Sequence, residues 1–306
     1  MVQSNQNSER FDMNIHLLFK EITNAFLHST SLELDVQVAR LEARLLITFV
    51  LNKPRYYIDA HPEQILTLEE SNQIQDLVTR RLAGEPIAYL VASREFFGRN
   101  FYVNKNVLIP RPETELMIEL ILAEVQENKL FSVLDLGTGS GCVATTLALE
   151  CPHAQIVAVD QSLQALEIAK ENAKKLNASV TWLQSNWFDI FEKKPAATPV
   201  SKFNWIVSNP PYISETDPHL LVGDVRFEPR SALTSGEDGL DDLRCIIQNA
   251  KQYLQPSGKI LLEHGYNQHQ AVQTLLKENG FSNVMSHYDL AGIPRMTQGQ
   301  FLSIKI

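Results

Sequence analysis

The chain is 306 residues long, 44% hydrophobic and 21% charged, with a formal net charge of −9. That length predicts roughly two domains of about 100–200 residues each, and the balance is that of a globular protein. The acidic charge argues against an electrostatic grip on a nucleic-acid backbone, although a local basic patch can survive inside it. Cys142, Cys151 and Cys245 are odd in number and lack metal-ligand spacing. They fit a reducing compartment better than a disulfide frame, and no metal site is expected.

The start, Met1 to Arg10, is polar and lacks the apolar centre of a signal peptide; a cytoplasmic location is expected. No apolar run approaches the roughly 20 residues of a membrane span. From Phe11 to about Leu90 the apolar residues recur at helical spacing: Ile15, Leu18, Phe19, Ile22 and Phe26, then Val38, Leu41, Leu45, Leu46 and Phe49. Ser31 and Asp35 are candidate starts for the second helix, and Lys53-Pro54 is its expected stop. Thr67 with Glu70 reads as a capping box, and Gly84 ends the helix that follows. His16, His28 and His61 are isolated and read as surface or core histidines rather than ligands. Residues 1–91 are therefore expected to form a helical bundle, suited either to partner recognition or to a structural cap.

Alternation replaces helical spacing between Arg94 and Ile109, and a turn at Gly98 to Asn100 predicts a short hairpin. The stiff run Ile109-Pro110-Arg111-Pro112-Glu113-Thr114-Glu115 follows. The expected layout is a helical domain over 1–91, a β-hairpin linker over 92–110, and an α/β domain over 111–306.

Strands and helices alternate from residue 114 onward, the pattern of a parallel sheet covered on both faces. A helix is expected from Thr114 to about Glu127. The strand Val133-Leu134-Asp135-Leu136 opens into Gly137-Thr138-Gly139-Ser140-Gly141 and a helix. Glycine lets backbone amides approach a ligand at a helix start. Asp160 lies roughly 20 residues on, at the next strand's end, where an acidic residue can accept both ribose hydroxyls. A dinucleotide fingerprint would place its third glycine at Cys142; here it is Gly141, giving G-x-G-x-G. That spacing resembles the motif of S-adenosyl-L-methionine-dependent methyltransferases. The resemblance implies a Rossmann-like, seven-stranded class I fold with sheet order 3-2-1-4-5-7-6 and an antiparallel seventh strand. Asp135 then either faces the methionine end of the cofactor or holds the glycine loop's own amides. Asn186 and Trp187 follow the third strand, where adenine would lie. Trp187 reads as a flat face for the purine or as a core residue, with Trp182 and Trp205 the better core candidates.

The fourth strand, Phe203 to Val207, runs into Ser208-Asn209-Pro210-Pro211-Tyr212. Proline cannot continue a central ladder and holds the residue before it extended, so Asn209 is aimed from the strand's carboxyl end. In open α/β sheets ligands bind at that end. The Asn209 side-chain oxygen and the Pro210 carbonyl can together accept both hydrogens of one planar NH₂, and Tyr212 can pack against it. The acceptor is thus a carboxamide or an exocyclic base amine. The stretch Ile213 to Asp238 exceeds the usual loop length of about 12–15 residues and is expected to cover a site. A last helix, Gln268 to Glu278, and strands near Ser282–Tyr288 and Phe301–Ile306 close the chain.

Several further stretches, in this order and spacing, resemble one family. They are Gly84-Glu85-Pro86-Ile87-Ala88-Tyr89-Leu90, Arg94-Glu95-Phe96, Pro110 to Glu115, Leu134 to Gly141, Asn209 to Tyr212, Phe227-Glu228-Pro229 and Gly236 to Leu240. Together they are similar to the protein-(glutamine-N5) methyltransferases of the HemK/PrmC family, which modify peptide chain release factors. The resemblance implies methyl transfer from S-adenosyl-L-methionine, leaving S-adenosyl-L-homocysteine, to the glutamine of the Gly-Gly-Gln tip of class I release factors. Translation termination would be modulated, with a release factor as partner, no stable nucleic-acid or membrane binding and a monomeric enzyme. It casts Asn209, Pro210 and Tyr212 as catalytic, with Pro211 and Phe97 helping to hold the substrate. Asp135, Gly137, Thr138, Gly139, Ser140, Gly141, Asp160, Asn186, Trp187 and Asn209 would hold the cofactor. Three positions depart from the family pattern: Glu113 for an aspartate, Asn186 for an acidic residue, and the loop Gly292-Ile293-Pro294-Arg295. An adenine- or cytosine-N methyltransferase acting on nucleic acid is the alternative, and a cofactor-binding protein without transfer is a third reading.

Overall fold

The computed structural model describes residues 13–125, 130–193 and 200–302. The polar start, most of the polar loop from Lys193 to Ser201, the end of the helix expected to reach Glu127 and the last residues of the expected closing strand lie outside these. By contacts the chain divides into two units: one runs to Val91 and takes in Leu221–Phe227, and the other holds Ala92–Leu220 and Glu228 onward.

In the first unit, described residues form α1 (Ile15–Leu27), α2 (Val36–Leu51), the single turn α3 (Tyr57–Ala60), α4 (Leu68–Leu82) and the single turn α5 (Ile87–Leu90). Their starts follow from capping chemistry. Asn14 accepts from the Leu17 N–H and Asp35 from those of Gln37 and Val38, while Thr67 and Glu70 close a reciprocal capping box. Left-handed Asn52 ends α2 one residue before Lys53-Pro54. Ile15, Phe26, Leu46 and Ile74 are fully buried between the helices, each contributing about 1.5–3 kcal/mol by leaving water. Arg81 lies in the same interior, its guanidinium forked onto Glu42 at 2.7 and 3.0 Å and donating to Asp224 at 2.9 Å. Asp224 comes from the Leu221–Phe227 segment, so an ion cluster fastens that segment into the helical unit.

The second unit opens with a hairpin of β1 (Arg94–Phe96) and β2 (Arg99–Phe101). Phe96 pairs with Arg99, so the turn is Phe97-Gly98, one residue earlier than expected. Both turn residues have positive φ, 51° and 73°, the geometry of a tight two-residue hairpin. Phe96 and Phe101 are fully buried in this unit's core. Next come α6 (Glu115–Glu124), β3 (Ser132–Leu136), α7 (Cys142–Glu150), β4 (Gln155–Asp160), α8 (Leu163–Leu176), β5 (Thr181–Gln184), the short α9 (Asp189–Lys193), β6 (Phe203–Ser208), α10 (Asp241–Ala250), β7 (Leu254–Glu263), α11 (His269–Glu278), β8 (Ser282–Tyr288) and β9 (Pro294–Gln300).

Among the described residues the main sheet has seven strands in the order β5-β4-β3-β6-β7-β9-β8. Counted within that sheet the order is 3-2-1-4-5-7-6. Strands β3 to β7 pair in parallel, and β9 runs antiparallel to both β7 and β8. This is the class I methyltransferase order that the motif implied. The last strand among the described residues is Pro294–Gln300, which starts ahead of the expected Phe301, and β7 is carried past Pro256 and Ser257 by a register shift against β6.

Side chains alternate across the sheet. Leu134, Val157, Ile206 and Leu262 face α10 and α11, while Val133, Ile156, Val207 and Leu261 face α6 and α7. The strand order reverses between β3 and β6, the switch point at which open sheets bind ligands. Leu136 pairs with Ser208 there, and the Ser208 hydroxyl donates to the Leu136 carbonyl at 2.7 Å. The two loops that follow, at Gly137 and Asn209, therefore leave the sheet side by side.

Candidate active site

The glycine loop is pinned from below. The N–H groups of Gly137 and Thr138 both donate to the Val159 carbonyl, and the Asp135 carboxylate accepts from the Thr138 hydroxyl at 2.6 Å. Asp135 is 2% exposed, and burial pushes its carboxyl up to about 7 against the pull of the Thr138 hydroxyl and the Ala144 N–H. It lies under the loop and does not line the cavity beside it. Its contact with the loop is through the Thr138 hydroxyl, whereas the Gly137 and Thr138 amides are held by the Val159 carbonyl and the Gly139 amide by Asp160.

The three glycines differ in what a side chain would meet. A Cβ on Gly141 would lie 2.8 Å from Ala169 and 2.9 Å from Trp182, so this glycine lets α8 pack close. One on Gly137 would sit 3.2 Å from the Trp187 ring. One on Gly139 would meet no protein atom within 4 Å, because it points into the cavity. Ser140 is buried, its carbonyl held by Asn172, whose amide also brackets Tyr102 after the hairpin.

That cavity has a volume of about 290 Å³ and is walled by Gly137, Gly139, Asp160, Asn186, Trp187, Asn209 and Pro211. Asp160 accepts from the Gly139 and Ser162 N–H groups at 2.9 Å each, one per carboxylate oxygen, and the Gln161 N–H is a third backbone donor to it. Burial raises its carboxyl above the usual range, opposed by those backbone donors. Trp187 sits at φ 44°, a strained conformation for an aromatic residue, with its indole N–H on Asp242 at 3.1 Å. Thr138, Ser140, Gly141, Pro210, Tyr212 and Phe97 do not line the cavity. Phe97 occupies the hairpin turn, its N–H donating to Glu115.

Pro229, Ser231 and Ala232, from the long loop after β6, form the opposite wall, with Lys105 to Leu108 from the stretch after the hairpin. Sequence reasoning missed this second group because nothing in its composition marks it as facing a ligand.

On the other side of Asn209 lies a polar cluster. The Asn209 amide nitrogen donates to the Thr114 hydroxyl at 3.1 Å, and Thr114 donates to one Glu263 oxygen at 2.7 Å. The second Glu263 oxygen accepts from the Tyr212 hydroxyl at 3.4 Å. Glu263 is 2% exposed, and burial pushes its carboxyl up to about 7. Tyr212 is fixed through its backbone as well: its N–H donates to Leu233 and its carbonyl accepts from Gln268 at 3.0 Å. Among the described residues nothing donates to the Pro210 carbonyl. Arg295, from the departing loop, pairs with Asp289 at 2.9 Å and reaches Glu113 at 3.5 Å.

The cavity thus presents an acidic side chain at Asp160, a flat indole at Trp187 and open space beside Gly139.

The chain matches two family models, the PrmC N-terminal domain over residues 27–91 and the Methyltransferase small domain over residues 114–236. It is 46% identical over 268 residues to the release factor glutamine methyltransferase of Neisseria gonorrhoeae, covering 87% of this chain and 95% of the relative. The chain belongs to the release factor glutamine methyltransferase family, HemK/PrmC. The corresponding protein of Salmonella typhimurium is 45% identical, with 87% and 94% covered. A solved methyltransferase from Pyrococcus furiosus overlays with a TM-score of 0.50 at 18% identity, covering 75% of this chain and all of that one, a likeness of fold. The family's sequence signature is thus spread over both units, and the site described above lies within the second.

Proposed function

We propose that this chain transfers a methyl group from S-adenosyl-L-methionine to the side-chain amide nitrogen (N5) of the glutamine in the Gly-Gly-Gln motif of class I peptide chain release factors, modulating translation termination. When bound, the cofactor supplies a methyl group on a sulfonium, already activated for transfer; Gly137, Gly139, Asp160, Asn186 and Trp187 would hold it. The observation that carries the reading is the orientation of Asn209. Its NH₂ is tied to Thr114, which leaves the side-chain oxygen for the acceptor.

An amide nitrogen is a weak nucleophile because its lone pair is delocalised into the carbonyl. Asn209 Oδ1 and the Pro210 carbonyl accept its two hydrogens, fix the nitrogen and favour the positive charge that develops as it attacks, a charge discharged when one of those hydrogens leaves as a proton to solvent. Tyr212, clamped through both backbone and hydroxyl, keeps the turn in place. Asn209 also walls the cofactor cavity, so the acceptor nitrogen and the donor would meet at one residue.

The helical unit would recognise the release factor away from its tip. No helix among the described residues is long and apolar enough to cross a membrane. The net charge of −9 supports a protein acceptor over a nucleic acid, and a monomeric, cytoplasmic enzyme fits the same reading. Labelled cofactor offered to a class I release factor, to the same factor with its tip glutamine replaced by alanine, and to DNA and RNA tests this. Label on the first alone is expected; label on both factors, or on nucleic acid alone, would overturn it.

A further inference from the structure

A glutamine-binding asparagine works only one way round. If its amide were flipped, an NH₂ would face the NH₂ of the acceptor, and neither could accept. Something in the fold must therefore choose the orientation of Asn209.

The sheet brings a candidate to it. Ser208 pairs with Leu262, so Asn209 and Glu263 leave the carboxyl ends of β6 and β7 as neighbours. Glu263 is buried, and its Oε2 accepts the Thr114 hydroxyl at 2.7 Å. A hydroxyl has one hydrogen. With that hydrogen on the carboxylate, Thr114 can offer Asn209 only lone pairs, and Asn209 must answer with its NH₂, as it does at 3.1 Å. Oδ1 is then turned away from Thr114. The other carboxylate oxygen accepts from Tyr212, so one buried acid steadies both ends of the Asn-Pro-Pro-Tyr turn.

We infer that Thr114 and Glu263 are positioning residues that set the Asn209 amide so that its oxygen, not its nitrogen, meets the acceptor NH₂. Neither residue touches the acceptor; both act through Asn209. The relay is directional. A carboxylate can only accept, which forces Thr114 to donate to it, whereas a carboxamide at residue 263 can donate to Thr114 and allow the relay to reverse. This inference rests on the glutamine reading above.

The test uses the full chain with a release factor as acceptor. Turnover is measured beside affinity for S-adenosyl-L-homocysteine, followed by tryptophan fluorescence, and beside melting temperature. Thr114→Val keeps the shape and removes the hydroxyl; Glu263→Gln keeps the shape and removes the obligate acceptor. Both should lose turnover on the order of 10²-fold, the scale of a misplaced reacting group, with cofactor-product affinity and melting temperature held. Thr114→Ser, which restores the hydroxyl, should recover most of the turnover. Wild-type turnover in Thr114→Val overturns the relay. So does a Thr114→Ser variant as impaired as Thr114→Val, or a loss that tracks melting temperature across all three, which would mark a merely structural cluster. A wild-type enzyme that leaves glutamine unmodified removes the functional reading itself, and with it a relay set for glutamine.

Discussion

Gly239 lies directly beneath the Tyr212 carbonyl: a Cβ at this position would stand 2.3 Å from that oxygen. The same glycine has φ +74°, which L side chains rarely adopt. Its stretch, Gly236 to Leu240, is thus a floor for the Asn-Pro-Pro-Tyr turn, and Gln268 ties the two together by donating to the Tyr212 carbonyl at 3.0 Å. Gly239→Ala should destabilise the fold by about 1–3 kcal/mol and lower turnover by displacing Tyr212. Denaturant unfolding and a rate measurement check this, and a variant unaltered in both would show that the floor is not needed.

The glycine loop makes a paired prediction. Gly139→Ala adds a methyl group into open cavity, whereas Gly141→Ala drives one into Ala169 and Trp182. Both positions have positive φ, so both carry some strain. Relative to each other, Gly139→Ala should weaken cofactor binding more than folding, and Gly141→Ala should cost more stability. Calorimetric binding and thermal melts of the two variants separate these effects; the reverse ranking would mean that the cofactor lies elsewhere.

Turnover should depend on pH through Glu263. Burial raises its carboxyl from 4.5 to about 7. The groups around it are Thr114 and Tyr212, which hydrogen-bond it, and Glu113, which raises it while Arg295 lowers it. Cys142 feels its charge as well, while neighbouring His264 is turned to Thr297 and Gly265. Protonated Glu263 can donate to Thr114 and release the relay, so turnover should rise with pH through about 7. Stability runs the other way. Between 4.5 and 7 the folded state holds a proton that the unfolded chain has lost, so this group's contribution falls as pH rises. Asp135, also raised to about 7, adds to stability with the same sign. A pH–rate profile of Glu263→Gln isolates the effect: it should lose the rise that wild type shows. An unaltered rise would assign the titration to another group.

In the helical unit, Arg81→Ala leaves the Glu42 carboxylate buried without its partner. Burial already raises that carboxyl, against the pull of Arg81. Removal of one member of a buried pair costs about 3–5 kcal/mol. A clear drop in melting temperature is expected, with Glu42→Gln in the same background recovering part of it.

What could be read in advance was whatever is written locally. Thr67 and Glu70 announce their capping box three residues apart, and the G-x-G-x-G spacing with Asp160 announces a nucleotide-like cavity. Two prolines after Asn209 mark the end of β6. Local signals were also where small errors arose. Gly98-Arg99-Asn100 reads as a better turn than Phe97-Gly98, because the hairpin requires positive φ of a phenylalanine, and propensity argues against that. Pro294 hides the start of β9, since proline is unusual in a strand. The partners of Asn209 and Tyr212 were not legible at all. Thr114 lies 95 residues before Asn209, and Glu263 lies 51 after Tyr212. Only the strand order and the register of β6 on β7 bring them together. The length of the Ile213–Asp238 stretch announced a cover for the site, but which of its residues wall the cavity, Ser231 and Ala232 among them, is a product of topology.

Asn209 holds the acceptor nitrogen in the reaction proposed above, and paired measurements on Asn209→Ala probe that role. Turnover on a release factor and affinity for S-adenosyl-L-homocysteine are compared with wild type. Turnover should fall on the order of 10²–10³-fold, the cost of removing one preorganised group from a developing charge, while affinity changes far less. Wild-type turnover in this variant, or a loss of cofactor affinity that explains the whole loss of rate, would remove Asn209 from the acceptor site.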